Sequence, residues 1–227
     1  LKYIFHMYKN RKTILYKIFY VASLTCYTYI IKAEYFFQNT IPASSRRIKF
    51  MKAYEHLLSY VKVFTPSSEE TNTSPSTQYQ FDLARQLVQE LKELGVDDAS
   101  VDEHCYVYGH IPATNGYESR KKLGFIAHMD TVSDFCDHPV TPVVTPDYDG
   151  KELTLGTSGR VLSPKMFPHL STLKGRTLIT SDGTTILGAD DKAGIAEIMT
   201  IIEHLNDNTI PHGPLCIAFT PDEEIGM

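Results

Sequence analysis

The chain has 227 residues, of which 42% are hydrophobic and 22% are charged, an ordinary composition for a globular protein. A chain of this length forms one medium domain or most of a larger one. Its net charge of −5 is uneven, because residues 1–50 hold nine Lys/Arg and one acid whereas the remainder holds 13 bases and 26 acids. The acidic body argues against nucleic acid as the main partner.

The four cysteines are widely spaced and form no Cys-x-x-Cys pair. This spacing excludes a thiolate zinc finger and does not indicate a disulfide framework. It is typical of a protein in a reducing compartment, so we expect a cytoplasmic location.

Residues 1–50 differ in composition from the rest, and we interpret them as an upstream-translated extension that is not native to the domain formed by residues 51–227. Their apolar run at residues 18–31, flanked by Lys17 and Lys32, is too short for a transmembrane helix. A signal peptide is disfavoured because no small-residue cleavage site follows the run. A membrane anchor remains the alternative interpretation of this segment.

From Met51 onward the pattern predicts alternating helices and strands. Apolar residues at helical spacing predict helices at residues 51–64, 78–94 and 192–205, with Gly95 ending the second. Short apolar runs predict strands at residues 100–111, 123–127, 176–180, 185–187 and 215–219. Residues 66–76 read as a polar loop, and residues 133–173 as a long irregular or hairpin excursion. The alternation predicts an α/β fold with a largely parallel central sheet.

Three polar motifs lie at the ends of predicted elements, where sites in α/β folds cluster. His128 follows the strand at residues 123–127, and Asp130 is placed to accept the second N–H of the imidazole. Asp190 follows Gly188 at the start of a helix and could bridge two metal ions. Alone, each motif has an ordinary explanation, such as a surface histidine or a helix N-cap, and Asp191 is the better N-cap candidate.

The third motif is the pair Glu223-Glu224, just after the strand at residues 215–219. Neighbouring side chains diverge, so one could ligate a metal while the other handles protons. An isolated Glu-Glu pair is usually a solvated turn. The conjunction of imidazole and carboxylates at three element ends is the ligand set of a hydrolytic zinc centre.

These stretches resemble the metal-binding signatures of the co-catalytic zinc aminopeptidases and carboxypeptidases, in residues 125–131, 187–199 and 218–226. The resemblance implies a three-layer α/β/α domain with a mixed sheet and two zinc ions per active site. It implies that His128 ligates one zinc, Asp190 bridges both, and Glu224 ligates the second. It further implies that Glu223 is the general base, that Asp130 orients His128, and that the Asp190–Asp191 peptide is cis.

Residues 162–168 and 210–213 narrow the resemblance to members that release the N-terminal residue of tripeptides. The implied partner is a short peptide, without nucleic acid or membrane, in a possible homodimer. Family members add a further Asp ligand, a late His ligand and a second domain that have no counterpart here, so we expect weak metal binding and an exposed apolar edge and face. His138, His169, His204 and His212 are not assigned as substitutes.

Two alternatives to a tripeptide aminopeptidase remain. The chain could be a truncated, non-catalytic fragment that binds metal weakly. It could instead be a related N-acyl amino acid deacylase or carboxypeptidase, which share the metal motifs, although residues 162–168 and 210–213 weigh against these.

Overall fold

The structure, a computed structural model, describes residues 28–29, 51–206 and 210–226. The interpretation of residues 1–50 as an extension, a signal or an anchor therefore lies outside the described residues, apart from the two-residue strand β1, Thr28–Tyr29. No helix in the described part of the chain is both long and apolar enough to cross a membrane.

Four strands form the central sheet, in the order β2-β3-β9-β4. They are β2, Ser100–Val101; β3, Val107–Ile111; β4, Leu123–His128; and β9, Leu215–Thr220. β4 and β9 run parallel, whereas β9 with β3 and β3 with β2 are antiparallel. The predicted α/β fold with a mixed sheet is confirmed, but among the described strands only one pair of this sheet is parallel.

Three α-helices pack on one face of this sheet: α1, Ala53–Tyr60; α2, Gln80–Glu93; and α3, Ala189–Leu205. Ile217 and Phe219 of β9 are buried against them in one continuous apolar core. The opposite face exposes Ile126 by 70% and Tyr108 by 43%, an open apolar face of the kind that the sequence predicts. The described residues thus supply two of the three predicted layers.

Residues 133–181 form a separate substructure that contains strands of a second, small sheet and a two-stranded hairpin. β8, Leu178–Ser181, pairs with β5, Pro142–Thr145, and with β1, while β6, Leu153–Thr154, pairs with β7, Val161–Leu162. A 3₁₀ helix, Pro168–Leu173, closes a separate apolar cluster containing Tyr148, Leu155 and Leu178. The predicted hairpin excursion therefore has a small core of its own.

Two strand predictions were wrong in detail. The predicted strand at residues 100–111 is a hairpin, because the Asp102 carboxylate accepts the N–H groups of His104 and Tyr106 and Cys105 has φ 69°. The predicted strand at residues 185–187 is a loop, in which the Thr185 carbonyl accepts the Ser181 hydroxyl proton. β8 pairs with β5 in its place.

Candidate metal centre

Three chain segments meet at one end of the central sheet. Since β4 and β9 are parallel neighbours, with His128 in register with Thr220, their carboxyl ends lie side by side. The turn after β9 then enters a short 3₁₀ helix, Glu223–Ile225. The first residues of α3 complete the group, so all three predicted motifs come together.

The side chains of His128, Asp190 and Glu224 converge, each offering one ligand atom, with all three atoms within 4.8 Å of one another. His128 Nε2 lies 3.1 Å from Asp190 Oδ1. Tetrahedral zinc with bonds of about 2.0 Å separates neighbouring ligand atoms by roughly 3.3 Å, so this spacing suits two ligands of one ion. Glu223 is placed beside them, with Oε2 3.7 Å from His128 Nε2 and a side chain that is 61% exposed.

The orientation of the His128 ring is set by Asp130. His128 Nδ1 lies 3.1 Å from the Asp130 carbonyl oxygen and 3.3 Å from its carboxylate. Both of these atoms only accept hydrogen bonds, so the neutral ring carries its proton on Nδ1. The Nε2 lone pair then faces Asp190 and Glu224, which is the tautomer a metal ligand needs.

Asp130 has a second set of contacts that the sequence did not reveal. Its carboxylate, which is completely buried, accepts the backbone N–H of Glu223 at 3.0 Å and of Glu224 at 3.1 Å. Burial alone would raise the pKa of Asp130, but the hydrogen bond with His128 and those from its other donors hold it below its usual value. One buried carboxylate therefore links the His128 segment to the Glu223-Glu224 turn.

At the start of α3, the adjacent acids Asp190 and Asp191 make different contacts. Gly188 has φ 67°, and a Cβ there would stand 2.8 Å from Thr131 Cγ2, so the close approach to the His128 segment requires glycine. The Asp190–Asp191 peptide is cis, as the resemblance implies. Asp191 accepts the Gly194 N–H at 3.1 Å and so caps the helix, as predicted, while Asp190 faces His128.

The electrostatics of the cluster favour a bound cation. Burial raises the pKa of Glu224 to about 7, with the nearby Asp190, Asp130 and Glu223 charges adding to it. Burial would lower the pKa of His128, but its hydrogen bonds with Asp130 and Asp190 raise it to about 10. Several carboxylates thus crowd one imidazole, and a divalent cation would relieve the repulsion between them. The imidazole and carboxylate donors fit zinc.

The histidines left unassigned by the sequence form other contacts. His138 faces Asp137 and Thr184, His169 faces Thr172, and His212 faces the Gly213 carbonyl. Within the described residues, the one cluster of His, Cys, Asp and Glu side chains able to hold a metal is that of His128, Asp190 and Glu224.

Lys192 is a further member of this region that the sequence analysis passed over. Although 1% exposed, its ammonium group donates to the Val63 carbonyl at 2.7 Å, and burial lowers its pKa to about 8. The sequence offered a signal, because Lys192 directly precedes the mostly apolar stretch at residues 193–202, and a lysine buried beside apolar residues needs a specific partner.

Comparison with known proteins gives a consistent result. No family model matches the chain. It is 53% identical over 173 residues to peptidase T of Aliivibrio fischeri, covering 76% of this chain and 42% of that protein. It is 52% identical over 176 residues to peptidase T of Clostridium perfringens, covering 77% and 43% respectively. The chain thus spans less than half the length of the curated relatives that it matches.

Solved structures agree on the fold. A tripeptidase from Staphylococcus aureus matches with a TM-score of 0.50 and 25% identity, over 77% of this chain and 37% of that one. An aminopeptidase from Bacillus cereus matches with a TM-score of 0.51 and 24% identity over the same shares. The described fold is therefore shared with part of each of these two longer chains.

Proposed function

We propose that this chain, a homologue of peptidase T over about three quarters of its length, carries the principal part of the active site of a zinc-dependent aminopeptidase acting on tripeptides. The observation that carries the proposal is the convergence of His128, Asp190 and Glu224 within 4.8 Å, beside Glu223. The names of the relatives, peptidase T and tripeptidase, support the substrate class.

Zinc would be held by His128, Asp190 and Glu224, with Asp190 shared between two ions in the complete enzyme. When bound, zinc polarises a carbonyl and acidifies water. Asp130 keeps the His128 ring in the Nδ1–H tautomer and holds the amides of the Glu223-Glu224 turn. Further ligands would come from parts of the protein that the relatives have beyond the matched stretch.

Glu223 is proposed as the general base. Its side chain is mostly exposed at the edge of the cluster, so it can reach both solvent and substrate. Its carboxylate takes a proton from the water that attacks the scissile carbonyl. The same carboxyl group then returns the proton to the departing amine, so that protons balance over the cycle.

The remaining expectations follow the same proposal. The partner is a short peptide, and a homodimer is the proposed assembly. Cys105, Cys136 and Cys216 are free thiols, which supports the proposed location in the cytoplasm.

The test compares the wild type with Glu223→Gln, in the protein that contains this chain together with the rest of the relatives' length. We expect tripeptide hydrolysis with zinc, and a loss of roughly 10²- to 10⁴-fold in kcat in the variant. Zinc affinity should stay nearly unchanged, because Glu223 is not a proposed ligand. Full activity in the variant would refute the role of Glu223.

The two alternative functions have their own discriminating results. Hydrolysis of N-acyl amino acids or of C-terminal residues, with none of tripeptides, would favour a deacylase or carboxypeptidase. Tight binding of two zinc ions by the 227-residue chain, measured by calorimetry, would contradict the alternative of a non-catalytic fragment.

A further inference from the structure

Asp222 is a buried carboxylate directly before the Glu223-Glu224 pair. It is 1% exposed and lies between β9 and the 3₁₀ helix, with φ 57°. Its side chain accepts three hydrogen bonds: from Ser76 N–H at 2.7 Å, from Ser76 Oγ at 2.5 Å and from Gln80 Nε2 at 2.6 Å. Its own N–H donates to Gln80 Oε1 at 3.2 Å. We call these contacts among Asp222, Ser76 and Gln80 the Asp222 clamp.

The Asp222 clamp is built inside the protein. Ser76 is 3% exposed and Gln80 is completely buried at the start of α2. A carboxylate is costly to bury unless several donors satisfy it, and three donors do so here. Burial, followed by the Asp222 charge, raises the pKa of the neighbouring Cys105 thiol to about 12.

Asp222 directly precedes Glu223 and Glu224, so the clamp can fix the position of these two residues. Asp222 is held in a left-handed conformation that residues other than glycine adopt rarely. The next two residues are Glu223 and Glu224, whose N–H groups are held from the other side by Asp130. The turn is thus fixed at its start by the clamp and at its amides by Asp130.

The geometry points to Asp222, through Ser76 and Gln80, as the positioning residue that sets where Glu223 and Glu224 stand relative to His128 and Asp190. This inference rests on the proposed function, since it assigns a role within the same site. It also gives a task to residues 66–80, which the sequence alone reads as a polar loop and a helix start. Buried ligand-supporting contacts of this kind affect metal affinity by about 10- to 100-fold.

The test reverses the hydrogen bonds of the clamp while keeping its shape. In Asp222→Asn, an amide N–H₂ at the Oδ1 position faces Gln80 Nε2, so donor opposes donor and the clamp should open. Adding Gln80→Glu supplies a carboxylate that accepts from this amide and from the N–H of residue 222. The double variant therefore keeps one buried negative charge and restores matched donors and acceptors.

Two measurements on the 227-residue chain read out the clamp. The first is hydrogen exchange of the Glu223 and Glu224 amides without metal, which we expect to be about 10- to 100-fold faster in Asp222→Asn and near the wild-type rate in the double variant. The second is zinc affinity, measured by competition with a chromophoric chelator. We expect this affinity to fall about 10-fold or more in Asp222→Asn and to recover in the double variant.

The matched control is Tyr60→Phe, which removes a buried hydroxyl that donates to Glu90, in contacts that do not involve the cluster. It should lower overall stability without changing either readout. Wild-type exchange and zinc affinity in Asp222→Asn would overturn the inference, and so would an equal effect in Tyr60→Phe. The proposed function is decided separately, by tripeptide hydrolysis in the longer protein and its loss in Glu223→Gln, while amide exchange in the 227-residue chain decides whether the clamp positions the turn.

Discussion

Two groups of ionisable side chains within the described residues are satisfied in opposite ways. Among the helices, His56, Tyr60, Glu90 and Glu203 form what we call the helix network. His56 Nε2 lies 3.1 Å from Glu203, and the Tyr60 hydroxyl lies 3.1 Å from His56 Nδ1 while donating to Glu90 at 2.5 Å. Each acid there faces a donor, so the network is complete without any ligand.

The candidate metal centre has, by comparison, an excess of carboxylates over donors. His128 is the one imidazole in the candidate cluster, and it faces the carboxylates of Asp130, Asp190 and Glu223. The pKa of Glu224 is raised to about 7, first by burial and then by its acidic neighbours. Helix α3 joins both regions, since Asp190 lies at its start and Glu203 near its end. This difference indicates that the helix network stabilises the fold by itself, whereas the cluster of His128, Asp190 and Glu224 would gain stability from a bound cation.

The largest expected effect on stability comes from breaking the helix network. His56→Ala removes the imidazole partner of Glu203, whose side chain is 12% exposed, and leaves that carboxylate with fewer partners, among them the Met51 N–H. We expect a loss of about 3 kcal/mol in the free energy of unfolding, measured by urea denaturation. Zinc affinity should stay within about twofold of the wild type. A large loss of zinc affinity would show that the two regions are not independent.

The next prediction concerns zinc binding, which should change the free energy of unfolding through the cluster of His128, Asp190 and Glu224 and not through the helix network. Zinc at 100 times its Kd should raise the free energy of unfolding by about 2.7 kcal/mol for one site, measured as a shift in Tm. Glu224→Gln should abolish most of that shift. Without metal, the same variant should be as stable as the wild type or slightly more stable, because it removes one charge from a crowded acidic cluster.

Removing a member of the helix network is thus expected to destabilise the metal-free chain, whereas removing Glu224 is not. A clear loss of stability in metal-free Glu224→Gln would contradict this contrast. Gln89→Ala serves as a surface control, because the exposed Gln89 side chain donates to Glu93 on the solvent side of α2.

The sequence could predict the regular elements and the motifs because both depend on local pattern. The helical period of residues 78–94 predicted α2, observed as Gln80–Glu93, and the apolar run at residues 215–219 predicted β9. Placing His128 and Glu224 near each other required only that their strands be parallel neighbours.

The contacts that hold the site were beyond that reasoning, because they join residues far apart in the chain. Asp130 and Glu223 are 93 residues apart, and Gln80 and Asp222 are 142 apart. Local propensity carries no information about such pairs. The strand predicted at residues 185–187 failed for a different, local reason, since the Ser181 hydroxyl donates to the Thr185 carbonyl four residues away and no strand pairing forms there.

The smallest expected effect concerns Glu197, midway along the helix that joins the two regions. Burial, and then the charge of Asp191, raise the pKa of Glu197 to about 7. The native state therefore holds a proton between pH 4.5 and 7 that the unfolded chain has released. Stability from this group is present at low pH and is lost as pH rises through that window.

Glu197→Gln should remove this slope, because an amide does not titrate. We expect the variant to gain about 1 kcal/mol over the wild type at pH 8 and to match it at pH 4.5, in urea denaturation of the metal-free chain. Glu93→Gln, on the exposed side of α2, should leave the slope intact. If the free energy of unfolding depended on pH in the same way in the wild type and in Glu197→Gln, the Glu197 carboxylate would be solvated and burial would not raise its pKa. The repulsion among acidic groups would then be confined to the candidate metal centre and would not extend along α3.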